Sequence, residues 1–318
     1  MKKTTLLGSL LITGASLLLT GLVVSGLVLS GEADDATDFL RFTEGKKGEG
    51  KLETAIVTYR GKDGVEVDLI SAVHVADGVY YRSLQKRFEK YDSLLYEMIK
   101  PAGVQPTAGG SGGLLSFFQR GLKDTLGLEF QLDSVDYKKG NFVHADLDPT
   151  TFSRLQQEKG ESIVTLLFKA MEKSIELQQS RDKKPLGLLE LLALFTSEDR
   201  QSSLKLFLAR ELEDMEKILA GIEEGTEGGS VIVAERNKVV IAALRASLKE
   251  GKKTFGVFYG GGHMPDLEQR LRKELSLEKT KQEWVTAWDI KTKTEAKESG
   301  SGSGKNTELK GIRDEHPQ

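Results

Sequence analysis

Six strand-forming residues, Thr254-Phe255-Gly256-Val257-Phe258-Tyr259, run without a charge from Lys253 into Gly260-Gly261-Gly262-His263-Met264-Pro265. No other stretch narrows the choice of fold as much. Glycine passes through positive φ and lets a backbone approach a ligand closely, so a glycine run after a buried strand marks where an α/β fold places its chemistry. His263 is the reactive group such a turn would present. The plain alternative is a tight strand-to-helix turn with an incidental histidine.

The first half of the chain supplies the partners that such a strand needs. Leu52–Tyr59 and Val65–Val73 are β-rich runs separated by Gly61-Lys62-Asp63-Gly64, a strong hairpin signal. The second run loses its alternation and becomes apolar, as a central strand does, and it delivers His74. Asp77 can cap a helix carrying Tyr80, Leu84, Phe88 and Tyr91 at helical spacing. The apolar strand Ser93-Leu94-Leu95-Tyr96-Glu97-Met98 follows, and this strand–helix–strand order implies parallel pairing with a right-handed crossover. Glu97 lies near that strand's carboxyl end, and a carboxylate inside an apolar run is expensive to bury unless it is paired or coordinated.

The middle of the chain reads as helical. Pro101–Gly113 is a loop, and Leu114–Leu126 is an amphipathic stretch that packs on the core or serves as a lid or membrane-facing segment. Leu128–Asp136 and Asn141–Ala145 are short extended pieces, and Asp148-Pro149 opens a further helix. Beyond it, Ile163–Ile175 and Leu204–Ile222 carry apolar stripes at helical spacing. Val231–Ala234 then leads into Glu235-Arg236-Asn237 and a helix that stops at Gly251. After the glycine turn come a charged helix, Asp266–Glu274, and an alternating strand, Gln282–Trp288.

The expected class is α/β: a central mixed, largely parallel sheet flanked by helices, with an inserted helical cap. Residues 51–148 and 229–292 form the two halves of the α/β domain, 149–228 the cap and 293–318 a Gly/Ser/Lys/Glu-rich disordered tail. A chain of 318 residues, 38% of them hydrophobic, can bury one sizeable core with such an insertion. With 45 basic and 48 acidic residues and no basic stripe, the charge gives no pull toward nucleic acid. The absence of cysteine rules out disulfides, thiolate metal sites and a cysteine nucleophile.

Residues 1–31 address the compartment. Lys2 and Lys3 precede an uncharged stretch from Thr4 to Gly31, and Glu32, Asp34 and Asp35 follow it. A secretory signal has an apolar region of about 7–15 residues, whereas a span needs roughly 17–25, so the stretch favours a membrane anchor. Gly31-Glu32-Ala33 is where a cleaved signal would end. Lysines before and acids after give an N-terminus-in orientation, with the remainder outside the cytoplasm as a single-pass membrane protein, or secreted or periplasmic if the segment is cleaved. Residues 32–50 read as a linker.

His74, Glu97 and His263 all fall at or near strand ends. The carboxyl ends of strands in an open parallel sheet share one edge, so residues far apart in sequence can meet there. Two histidines and a carboxylate can hold a divalent metal ion and leave positions open for water and substrate. Arg236 is the fourth participant, because a fixed guanidinium binds a carboxylate or stabilises an oxyanion. His144 is a weaker candidate, read first as a structural histidine. Gln131, Tyr137, Tyr259 and Asp77 are neighbours of the expected site.

Taken in order, Ser71-Ala72-Val73-His74-Val75, Leu94-Leu95-Tyr96-Glu97, Glu235-Arg236-Asn237 and Gly260-Gly261-Gly262-His263-Met264 resemble the TraB/GumN family, which includes the Tiki metalloproteases. The resemblance covers roughly residues 52–290. That family is described by two Gly-x-x-His motifs and an intervening glutamate, on a fold related to erythromycin-esterase-like and haem-binding ChaN-like proteins. By position, Gly260–His263 is the second motif, Ser71–His74 the first and Glu97 the acid, with Ser71 standing where glycine is expected. The resemblance implies a membrane-tethered peptidase that uses a divalent metal (Mn, Co or Zn) held by His74, Glu97 and His263, and acts on a peptide or protein substrate. Glu97 is the general base if it is not a ligand; Arg236, oriented by Asn237, stabilises the oxyanion. Two other readings stay open: a metal-independent esterase-like hydrolase, and a non-catalytic haem- or peptide-binding protein of the same fold.

Overall fold

The computed structural model of the chain describes residues 37–46, 48–101, 103–104, 125–162, 165, 196–197, 199–224 and 229–292. The expected anchor, nearly all of the amphipathic stretch after Gly113, the Ile163–Ile175 stripe except residue 165, and the tail lie outside the described residues. Among the described residues no helix is long and apolar enough to cross a membrane.

Four strands build the antiparallel half of the sheet. β2 (Gly50–Arg60) turns through Gly64, at φ 73°, into β3 (Glu66–Ala72), with Ile56 opposite Ile70 and Arg60 opposite Glu66. Positive φ at Gly64 is a conformation that glycine adopts without a Cβ penalty. β9 (Glu278–Ile290) pairs antiparallel along β2 from Gly50↔Ile290 to Arg60↔Glu278. β1 (Leu40–Glu44) pairs with Gly50–Thr54 of β2, end to end with β3. Within the stretch 32–50 that reads as a linker, Leu40–Glu44 is thus a strand of the sheet. Leu40 and Phe42 are partly buried, and fully buried Phe39 accepts a bond at its carbonyl from Ala55 N at 2.9 Å.

The parallel half carries the site. β3 pairs β8 (Thr254–Gly260), β8 pairs β5 (Ser93–Tyr96), and β5 pairs β7 (Phe142–His144), all parallel. A small separate pair joins β4 (Val75–Ala76) to β6 (Glu129–Phe130). Side-chain alternation sends Leu52, Ile56, Ile70, Leu94 and Phe258 to one face of the sheet and Val57, Leu69, Leu95, Val257 and Tyr259 to the other. The first face is covered by α1 (Gly78–Phe88), through Tyr80, Tyr81, Leu84 and Phe88. A short helix, α2 (Gln131–Ser134), and α3 (Pro149–Glu158) follow, α3 capped by the Asp148 carboxylate on Thr150 N and Thr151 N. α4 (Arg200–Glu224) adds Leu204, Leu206 and Ala209 to the first face. The second face is covered by α5 (Arg236–Lys249) and α6 (Met264–Leu275).

The chain is therefore α/β, with a mixed central sheet flanked by helices, as the strand order predicts. The beginning of α4 packs on the sheet's own core. Its Lys205 is buried against Asp77 Oδ1 at 2.9 Å. Asp77 occupies the cap position of α1 but makes no side-chain cap bond, because its second oxygen accepts from Asp289 N at 2.7 Å. The expected capping carboxylate instead ties α1, α4 and β9 together.

Candidate functional site

Register places the functional side chains. Ala72 lies opposite Gly260, Tyr96 opposite Phe258 and His144 opposite Tyr96, so β3, β8, β5 and β7 end side by side. His74 follows β3, Glu97 follows β5, Asp146 follows β7 and the glycine turn follows β8. That turn is one 3-10 helical turn, Gly261–His263, leading into α6. Arg236 arrives from the opposite direction, at the start of α5. It is set there by a wide π-helical turn, Val231–Glu235, whose entry is capped by Ser230 Oγ accepting from Val233 N at 3.1 Å. A π turn rotates the following residues relative to an α-helix and is frequent at functional sites.

Arg236 is the hub. Its Nε donates to Asp146 Oδ1 at 2.8 Å, and its Nη2 donates to Asp146 Oδ2 at 2.6 Å and to Glu97 Oε1 at 2.9 Å. The second Glu97 oxygen accepts the Gly260 amide at 2.7 Å. Arg236 is 3% exposed, Glu97 8% and Asp146 7%, so these are desolvated ion pairs of short, partly bidentate geometry. Burial alone would raise the Glu97 carboxyl; the Arg236 charge overturns it and holds the group well below the usual carboxylate range. Burial pulls the Arg236 guanidinium the other way, and Glu97 and Asp146 more than offset it, keeping the group charged.

His263 is fully buried between this pair and a second polar group. Its Nε2 is 3.3 Å from Arg236 Nη1 and 3.6 Å from Glu97 Oε1, and its Nδ1 is 2.7 Å from Asn237 Oδ1. Tyr259 stands edge-on to the imidazole with ring centroids 5.0 Å apart, its hydroxyl donating to the Ala145 carbonyl. Burial lowers the His263 pKa below its ordinary value, and the Glu97 charge only partly opposes this, so the ring is neutral at pH 7. Asn237 does not orient Arg236 as expected: its amide nitrogen donates to the His263 carbonyl at 3.1 Å and to Asp266 Oδ2 at 2.7 Å.

His74 is half-buried at the same sheet edge. Its Nδ1 meets Gln131 Oε1 at 3.1 Å, while Gln131 Nε2 donates to Tyr137 OH at 2.8 Å. Since the amide oxygen can only accept, His74 Nδ1 carries a proton and donates it to Gln131. The neighbours Gln131 and Tyr137 thereby gain a role that spacing did not reveal. His144 behaves oppositely: its Nε2 donates to the Met98 carbonyl at 2.6 Å, which is the structural role expected of it.

The structure thus brings Glu97, Arg236 and His263 into direct contact, with His74 at the same sheet edge. The residue missed in the sequence is Asp146, which clamps Arg236. Its one signal was a carboxylate just past the short extended piece Asn141–Ala145, without the apolar run that singled out Glu97.

As metal ligands, two imidazole lone pairs and a carboxylate fit a divalent ion in kind. Among the described residues, however, no group of three His, Cys, Asp or Glu side chains converges as a metal set. Glu97 is engaged at both oxygens, and the Nε2 of His263 faces a guanidinium. Within the cluster two carboxylates face one guanidinium, so with His263 neutral one negative charge is left over.

The fold and site together define an α/β protein with a buried His–Arg–carboxylate centre at the carboxyl edge of its parallel strands. Comparison with protein-family models, with curated proteins and with solved structures gave no match for this chain.

Proposed function

We propose that this chain is an exported hydrolase of the TraB/GumN type, tethered by its N-terminal segment, that cleaves an acyl bond in a peptide or protein substrate outside the cytoplasm. The observation that carries this reading is the His263 Nε2 atom, a neutral imidazole nitrogen held 3.3 Å from Arg236 and 3.6 Å from ionised Glu97 at the edge where α/β sheets bind ligands. The ordered motif set and the uncharged N-terminal stretch support it further.

His263 accepts the proton of the attacking water, and Glu97 stabilises the imidazolium that results. Arg236, clamped by Asp146 so that its orientation costs nothing during the reaction, lies beside the imidazole and stabilises the developing oxyanion. In the metal form His263 would instead be a ligand: His74, Glu97 and His263 would hold a divalent ion (Mn, Co or Zn), which would supply a water acidic enough to deprotonate at neutral pH.

The same reaction also has a metal-independent form. Arg236 Nη1 faces the single lone pair on His263 Nε2, so a metal ion and the proton of an attacking water compete with it alike. Metal content of the purified full chain and hydrolysis of a peptide library, with and without chelator, separate the two. Bound metal with chelator-sensitive cleavage supports the metal form; chelator-resistant cleavage lost in His263→Gln supports the metal-free form. Absence of cleavage in both, with tight haem or peptide binding, overturns the hydrolase reading.

A further inference from the structure

We propose that Asn237, held in orientation by Asp266, is a positioning residue that selects the tautomer of His263 and so decides that Nε2, not Nδ1, is the working atom. The inference deepens the hydrolase reading, but it concerns where one proton resides and can be tested without turnover.

Two tautomers compete at His263. In one, Nδ1–H donates to Asn237 Oδ1 across 2.7 Å and Nε2 keeps its lone pair. In the other, Nε2–H points at Glu97 Oε1 across 3.6 Å, a charged acceptor but beyond hydrogen-bond length. The second form would leave Nδ1 as an acceptor facing another acceptor, and it would turn the Nε2 proton toward the Arg236 guanidinium 3.3 Å away. The first form satisfies both ring nitrogens.

That preference depends on which way the Asn237 amide points. An amide reversed end for end would offer NH2 to Nδ1 and select the opposite tautomer. Two acceptors prevent the reversal: the His263 carbonyl at 3.1 Å and Asp266 Oδ2 at 2.7 Å both take hydrogens from Asn237 Nδ2. Asp266 is 2% exposed and accepts from Arg270, whose Nε donates to Oδ2 at 2.6 Å and whose Nη2 donates to Oδ1 at 3.1 Å. Donation therefore converges on Asp266, from Arg270 on one side and from Asn237 Nδ2 on the other, while Asn237 Oδ1 takes the His263 Nδ1 proton and leaves Nε2 with its lone pair. Each of these groups is buried or half-buried, so water does not readily replace a lost partner.

The chain has four histidines, which makes histidine-selective 15N labelling of the full protein tractable. Two-bond 1H–15N correlation spectra distinguish the tautomers directly. In the wild type at pH 7.5 or above (about one unit over the ordinary histidine value), His263 is expected entirely as the Nδ1–H form. Asn237→Leu, which keeps volume and removes the acceptor, is expected to shift it to the Nε2–H form facing Glu97. Asp266→Asn, which can donate to a reversed Asn237, is expected to split the signal between the two forms. A wild-type spectrum in the Nε2–H form overturns the proposal even if neither variant folds. A single wild-type-like tautomer in folded Asp266→Asn overturns the role of Asp266. Because the readout is spectroscopic, an inactive enzyme with the expected tautomers contradicts the hydrolase reading while leaving this inference intact.

Discussion

Burial withholds a proton from His263 and a positive neighbour withholds one from Glu97, so both groups destabilise the folded state in acid. The unfolded chain takes up the histidine proton below about pH 6.5 and the glutamate proton below about pH 4.3, whereas the folded chain resists both until lower pH. Protons then favour the unfolded state. Urea-unfolding free energy is expected to fall as pH drops through 6.5 and to fall again below 4.3, with the upper step missing in His263→Gln. An unfolding free energy that rises between pH 6.5 and 5 would contradict a neutral buried imidazole.

Asp146 was hidden in the sequence at this same scale, because a carboxylate after a three-residue strand looks like any loop acid. Its partner is 90 positions away and the pairing is legible only in three dimensions. Asp146→Ala leaves the buried guanidinium with half its counter-charge and is expected to cost about 3–5 kcal/mol in urea denaturation. A cost under 1 kcal/mol would mean that the clamp is incidental.

Elements were more legible than contacts. The hairpin across Gly61–Gly64, the helix after Asp77 and the strand into the glycine turn all stand where periodicity and turn residues put them, because each signal is local. β1 escaped notice because a polar edge strand such as Leu40–Glu44 has two half-buried apolar residues and takes its hydrogen bonds from β2. The π turn at Val231–Glu235 escaped because an apolar four-residue run does not distinguish a widened helix from a strand.

The glycine turn owes its composition to a neighbouring element. A Cβ on Gly261 would lie 2.9 Å from Ser71 Oγ, so the two motifs meet at van der Waals contact. Ser71 is itself fully buried, and its hydroxyl has no hydrogen-bond partner among the described residues. Ser71→Ala is therefore expected to stabilise the fold by about 1 kcal/mol. Gly261→Ala is expected to cost about 1–3 kcal/mol in the wild type and distinctly less when combined with Ser71→Gly. Additive losses in that double-mutant cycle would show that the serine and the turn do not press on each other.

Across the whole molecule, the fold class was readable because strand order and crossover rules leave few topologies, and the same rules brought His74, Glu97 and His263 to one edge. Side-chain orientation was not readable, since a proton's place on an imidazole depends on contacts with residues such as Gln131, Asn237 and Asp266 that spacing does not specify. The proposed location belongs to this scale as well. The full chain is expected to sediment with membranes, to resist extraction by carbonate and to expose its α/β domain to protease added from outside intact cells. Recovery in the cytosolic fraction would contradict the tether and the export together.

In the proposed reaction His263 Nε2 activates water, and that role is the one on which the hydrolase reading rests. It is tested most directly by comparing the full-length wild type with His263→Gln on a peptide library, each first incubated with Mn, Co or Zn and each confirmed folded by circular dichroism. Wild-type cleavage that falls by about 10²–10⁴-fold in the variant is the predicted result. Equal cleavage by the two proteins, or none by the wild type under any metal, would contradict it.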